Sequence, residues 1–110
     1  MGDTRSVADP TDHVELIVLH GDLGMVDRKW LEARLPAPAP RMRLVLDCSD
    51  VGSMDSTIIA LLMLYRQRLQ IAGGDPSNIV VLATPRLERL FDLTGVSRAM
   101  TVLPTQSGEA

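Results

Sequence analysis

Three short apolar runs, set apart by stretches of helical character, limit what this chain can fold into more than any other feature. Residues 13–20 (HVELIVLH), 44–46 (LVL) and 79–83 (IVVLA) are rich in β-branched and aliphatic side chains. Runs of this length bounded by turn residues read as strands, the last two as strands buried on both faces of a parallel sheet. Residues 22–35 supply a loop and a short helix, with Val26, Trp30 and Ala33 on one side and Leu31 and Leu35 on another. Residues 58–72 hold only good or fair helix formers until Gly73 and Gly74. Residues 75–78 make a turn, and after the third run Thr84 caps a helix with Pro85 at its first position, where a missing N–H costs nothing. That helix has Leu87, Leu90, Phe91 and Thr94 on its apolar side and stops at Gly95, and residues 99–103 can form a last short strand. The alternation predicts an α/β fold: a single domain with a mainly parallel four- to five-stranded sheet, right-handed crossovers and helices packed on it.

Composition narrows the function. At 110 residues the chain is one domain with room for one core. Because 45% of residues are hydrophobic and only 3% aromatic, that core has to be built from aliphatic side chains and the six methionines. A formal charge of -3 argues against nucleic-acid binding, which calls for a basic face. No apolar run reaches the roughly 18 residues of a membrane span, and the first dozen residues lack the apolar core of a signal peptide, so a cytoplasmic protein without membrane insertion is expected. The lone Cys48 fits a reducing compartment. The ordered core is expected over about residues 13–104, with residues 1–12 and 105–110 as loose termini. The segment Pro36-Ala37-Pro38-Ala39-Pro40 cannot continue a helix and serves as a stiff connector.

Function concentrates at residues 44–57, LVLDCSDVGSMDST, where a strand hands over to the longest helix. The strand is expected to end near Cys48, with Asp50, Gly52 and Ser53 making the turn. Asp55 or Ser56 then caps the helix, a role worth about 1 kcal/mol relative to alanine. At 100° per residue Ile58, Leu61, Leu62, Tyr65, Leu69 and Ala72 form the core-facing sector. Ile59, Ala60, Met63 and Leu64 fall outside it, so the first two turns are apolar nearly all round. Either a neighbouring helix covers these side chains or they form a partner-binding patch beside Ser56.

Residues 47–57 with the apolar helix after them, then IVVLAT and PRLERLFDLTGV, resemble the STAS domain, specifically the bacterial anti-sigma factor antagonists. The resemblance spans roughly residues 13–104. Met54-Asp55-Ser56-Thr57 is similar to the family's Asp-Ser-Ser/Thr signature, Leu90-Phe91-Asp92-Leu93-Thr94-Gly95 to its late helix and glycine stop, and Gly21-Asp22-Leu23 to its Gly-Glu-Leu turn. Ile58 stands where the family carries glycine, Gly24 where it has aspartate, and its extra N-terminal strand is not evident in residues 1–12. The resemblance implies a protein–protein switch without catalysis by this chain. A cognate anti-sigma factor with serine kinase activity would phosphorylate Ser56, a phosphatase would restore it, and the unmodified form would bind that factor and free a sigma factor. Asp55, Ser56, Thr57, Ile59 and Met63 would form the partner-binding surface. A phosphate at a helix N-terminus is compatible with the fold, because free N–H groups and the helix dipole favour an anion there. It would add about -1.5 to -2 charge beside Asp55 and the apolar first turns, opposing an apolar or acidic partner. The alternative is a STAS interaction subunit of a larger assembly, such as a phospholipid-transporting ABC system or a stressosome-like scaffold.

Other constellations are weaker. Asp47, Asp50 and Asp55 lack the alternation of a calcium loop, so no metal is expected. Ser56 with His13 or His20 can be written as a hydrolase triad, a remote alternative, but no Gly-x-Ser-x-Gly elbow surrounds Ser56. Cys48, just past a strand, reads as a small core residue. Neither GxxxxGK[ST] nor GxGxxG occurs, so the chain is expected to bind no cofactor and to be no enzyme.

Overall fold

A computed structural model of the chain describes residues 13–105. The expectations for residues 1–12 and 106–110 lie outside the described residues, whereas Thr105 is held to the sheet by its N–H, which donates to the Ala83 carbonyl at 3.0 Å. The described chain forms one α/β domain. Its strands are β1 (His13–Leu23), β2 (Met42–Met54), β3 (Ile79–Ala83) and β4 (Thr101–Pro104), all parallel and in sequential order across one sheet. The helices are α1 (Arg28–Arg34), α2 (Ser56–Ile71), α3 (Pro85–Thr94) and α4 (Val96–Ala99), with single 3-10 turns at Met25–Asp27 and Pro76–Asn78.

Each connection joins neighbouring parallel strands, so right-handed crossovers place every helix on the same face of the sheet. Burial follows that rule. Ile17 and Leu19 of β1, Leu44, Leu46 and Cys48 of β2, and Ile79, Val81 and Ala83 of β3 point into the core with Leu31, Ile58, Leu61, Leu62, Leu69, Leu87, Phe91 and Val96. The alternate residues do not. Val14, Leu16 and Val18 are exposed, and Val45, Val80 and Leu82 are half-buried. The expectation of strands buried on both faces is therefore corrected: among the described residues only one face is covered, because a sequential strand order never sends a helix to the other side.

β2 does not stop near Cys48, as the turn residues after it led us to expect. It runs on to Met54, paired there with β1 alone through Gly21–Val51, Asp22–Ser53 and Leu23–Met54. Two register shifts, between Val18 and His20 and between Gly21 and Asp22, twist this ribbon so that Val51 and Met54 remain buried in spite of the turn-like composition. On β2 only Leu44–Asp47 pair with β3, so the β1–β2 ribbon projects beyond the rest of the sheet and carries the start of α2 at its tip.

Local chemistry sets the helix limits. Thr84 Oγ1 accepts the Leu87 N–H at 3.3 Å, Pro85 takes the first position, and α3 ends at Gly95 with φ of 87°. The Tyr65 hydroxyl donates to the Pro36 carbonyl at 2.9 Å, fastening the proline connector to α2. Ala99 and Met100, expected to open the last strand, instead end and cap the single turn α4, whose Ala99 carbonyl accepts the Arg66 Nε–H at 2.7 Å, and the strand starts at Thr101.

Candidate functional site

The parallel strands β1 and β2 end side by side at Leu23 and Met54, and the chain turns there into the two segments that build the site. Asp55 joins them. Its backbone N–H donates to the Leu23 carbonyl at 3.0 Å. Its Oδ1 accepts the N–H groups of Thr57 at 2.9 Å and Ile58 at 3.3 Å, which makes Asp55 rather than Ser56 the cap of α2. Its other oxygen, Oδ2, accepts the Met25 N–H at 3.1 Å, so one carboxylate fixes the start of α2 and the 3-10 turn after β1 against each other. Gly24 lets this happen, since a Cβ there would lie 3.3 Å from Oδ2. Asp27 closes the turn, its Oδ2 accepting the Gly24 N–H at 3.0 Å.

Ser56 is the first residue of α2 and is exposed, and its hydroxyl makes no hydrogen bond within the described residues. Ile58, the bulky residue in a glycine position, points the opposite way and is fully buried, leaving Ser56 unobstructed. Thr57 is half-buried. Of the two apolar residues expected on the partner face, Ile59 is only 9% exposed and belongs to the core, and Met63 is half-buried against it. What stays open on α2 is a stripe through Ser56, Ala60, Met63, Leu64 and Gln67, residues within about 100° of one another on the helix. Ala60 is small and exposed, so the backbone next to Ser56 can be approached closely.

The structure adds two residues that the sequence did not tie to this site. Met25 and Val26, 70% and 92% exposed, flank the Asp55 carboxylate. A Met-Val pair after a glycine was the available signal, but only the parallel pairing of β1 with β2 brings it beside Ser56. Beyond the ribbon, a cavity of about 250 Å³ is lined by Gly52, Ser53, Met54, Arg86, Leu87 and Leu90.

The remaining candidates do not converge. His13 bonds Glu15 across 2.9 Å and His20 is exposed on β1, neither of them joined to Ser56 by a hydrogen bond. Asp47 Oδ1 accepts both the N–H (3.0 Å) and the hydroxyl (2.7 Å) of Ser49, a local contact within β2 that does not include Asp55. Among the described residues no three His, Cys, Asp or Glu side chains are grouped to hold a metal ion. Cys48 is buried, and burial, helped by the charge of Asp47, pushes its thiol up to about 12, which leaves it without thiolate character at neutral pH. No described helix is long and apolar enough to cross a membrane.

The strand order also limits chemistry. In open α/β sheets small ligands bind where the strand order reverses and helices diverge to opposite faces. This sheet runs β1-β2-β3-β4 without reversal, so its carboxyl edge is a rim and not a crevice. No curated protein gives a match to the sequence. The family model described as "Mlab, STAS domain" matches residues 7–104, nearly the whole chain. With its β-α winding and the Asp-Ser-Thr start of α2, this chain belongs to the STAS domain family.

Proposed function

We propose that this protein is an anti-sigma factor antagonist: it docks through the rim formed by Met25, Val26, Asp55, Ser56 and the open stripe of α2 onto an anti-sigma factor with serine kinase activity, and phosphorylation of Ser56 ends that binding. The observation that carries the reading is the setting of Ser56, an exposed hydroxyl at the first position of a rigid helix beside uncovered apolar side chains. The Asp55 carboxylate already accepts the Thr57 and Ile58 N–H groups, so a phosphate on Ser56 finds those donors taken and a negative charge close by. Its charge is therefore not taken up by free N–H groups at the helix start, as the sequence suggested, but stays at the exposed rim, where it opposes an apolar or acidic partner. Thr57 frames the acceptor and Met63 continues the apolar surface, whereas Ile59 supports the helix from within the core. The chain has no catalytic role in this scheme, needs no cofactor, and acts in the cytoplasm, where it frees a sigma factor indirectly.

A second reading keeps the docking rim without the switch: a STAS subunit of a larger assembly, such as a phospholipid-transporting ABC system. The matching model's description by Mlab, not by an antagonist, favours it. Incubation with a purified serine-kinase anti-sigma factor and ATP separates the two. The first reading expects about one phosphate per chain, mapped to Ser56 and lost in Ser56→Ala, and a Val26→Asp variant that keeps its melting temperature but is not captured. Absence of phosphorylation, with no capture of the kinase, contradicts it, and capture of a purified transport ATPase in a parallel incubation supports the second reading.

A further inference from the structure

The sheet face opposite the helices has a pattern of its own. Following the register across the strands, Leu16, Val45, Val80 and Thr101 form one row, and Val18, Asp47, Leu82 and Leu103 form the next. Val14 and Arg43 form a row on the other side of the first. Val14 and Leu16 are 66% and 58% exposed, Val18 and Leu103 are exposed as well, and nothing among the described residues covers them. Strands about 4.8 Å apart, rising about 3.3 Å per residue, give two rows across four strands and one across two an area of about 300 Å² in plan. A patch of that extent is the size of the largest one on a typical soluble domain, and such patches are often functional.

Its two charged residues identify the occupant. Arg43 and Asp47 stand on β2 at equal distances either side of Val45, with opposite charges, and Arg43 makes no ion pair among the described residues. A two-fold axis lying in the plane of the face, at right angles to the strands and through the Leu16–Val45–Val80 row, turns the face onto itself. Leu16 and Val45 then meet their own copies, Val14 meets Val18, and Arg43 meets Asp47, twice. That reciprocity is what an isologous interface requires, and sheets stack face to face about 10 Å apart, within reach of an arginine side chain. A basic or an acidic partner would leave one of the two charges opposed.

We propose that the open sheet face is a contact surface between two copies of this chain, forming a weak two-fold dimer that leaves the Ser56 rim free. The small area, about 600 Å² over the two copies, lies below the standard size of specific interfaces, so dissociation is expected toward the weak end of the range of about 1 μM to 1 mM.

Analytical ultracentrifugation of the full chain over that range tests it, with circular dichroism confirming that each variant folds. The expected result is a mass rising with concentration from 12.0 kDa toward twice that value. Leu16→Lys should stay monomeric throughout. Arg43→Asp and Asp47→Arg should each self-associate at least tenfold more weakly, and an equimolar mixture of the two should recover association, because each then faces the charge it lacks. A wild-type chain that is monomeric at every concentration overturns the proposal and assigns the face to other residues of the chain or to a different protein. Association unaffected by Leu16→Lys, or a mixture no tighter than either variant alone, overturns it too.

Discussion

At the scale of single residues the site depends on Asp55 more than on Ser56. One carboxylate accepts three backbone N–H groups, from Thr57, Ile58 and Met25, and so ties the β1 turn to the start of α2. Asp55→Ala removes a helix cap and leaves the Met25 N–H without its partner, and a loss of about 1–2 kcal/mol in a urea titration is expected. Asp55→Asn keeps an oxygen for the helix but presents an amide where Met25 needs an acceptor, or the reverse, so its loss should be about half as large. Equal stability of the alanine variant and the wild type would show that the tie contributes nothing. Ser56 has no such structural duty, and its replacement should leave stability within about 0.5 kcal/mol.

At the scale of elements, α2 shows what was readable from sequence and what was not. Of its expected sector, Ile58, Leu61, Leu62, Tyr65 and Leu69 are buried, because 3.6-residue periodicity is a property of the sequence itself, whereas Ala72 lies past the helix end as its C-cap and is exposed. The end of β2 was not readable: Asp50, Gly52 and Ser53 carry turn chemistry, and only pairing with a bulged β1 keeps them extended. For the same reason Met25 and Val26 could not be placed beside Ser56, since their position follows from a contact between strands far apart in sequence. The first turns of α2 were apolar all round, and the open question of what covers them resolves unevenly: Ile59 enters the core, while Ala60 remains exposed. The other end of α2 has a Schellman motif, with the Gly73 N–H donating to Gln70 at 3.0 Å and the Gly74 N–H to Leu69 at 2.8 Å. Gly73 holds a φ of 91° there. Gly73→Ala should therefore cost about 1 kcal/mol and lower the melting temperature by about 4–8 °C.

At the scale of the whole molecule, a domain wound in one direction covers one sheet face, leaves the other open, and gathers the ends of β1 and β2 into a rim. The core that holds this arrangement contains two acidic side chains kept neutral by burial. Cys48 and Tyr65 are both raised to about 12 from ordinary values of 9.0 and 10.0, chiefly by desolvation, with smaller contributions from Asp47 and Glu15. The unfolded chain loses these protons first, so their contribution is complete below about pH 9 and is lost as pH climbs from there to about 12. Melting temperatures followed upward from neutral pH should fall across that window, and a Cys48→Ala variant should fall less steeply.

The central claim is that the rim docks a partner and that charge at Ser56 switches the docking. It is tested most directly by the affinities of Ser56→Ala and Ser56→Glu for a purified serine-kinase anti-sigma factor, measured by titration calorimetry on variants of matched stability. The account predicts that Ser56→Ala binds as tightly as the unmodified chain and that Ser56→Glu binds at least tenfold more weakly. Equal affinities for the two variants would contradict it.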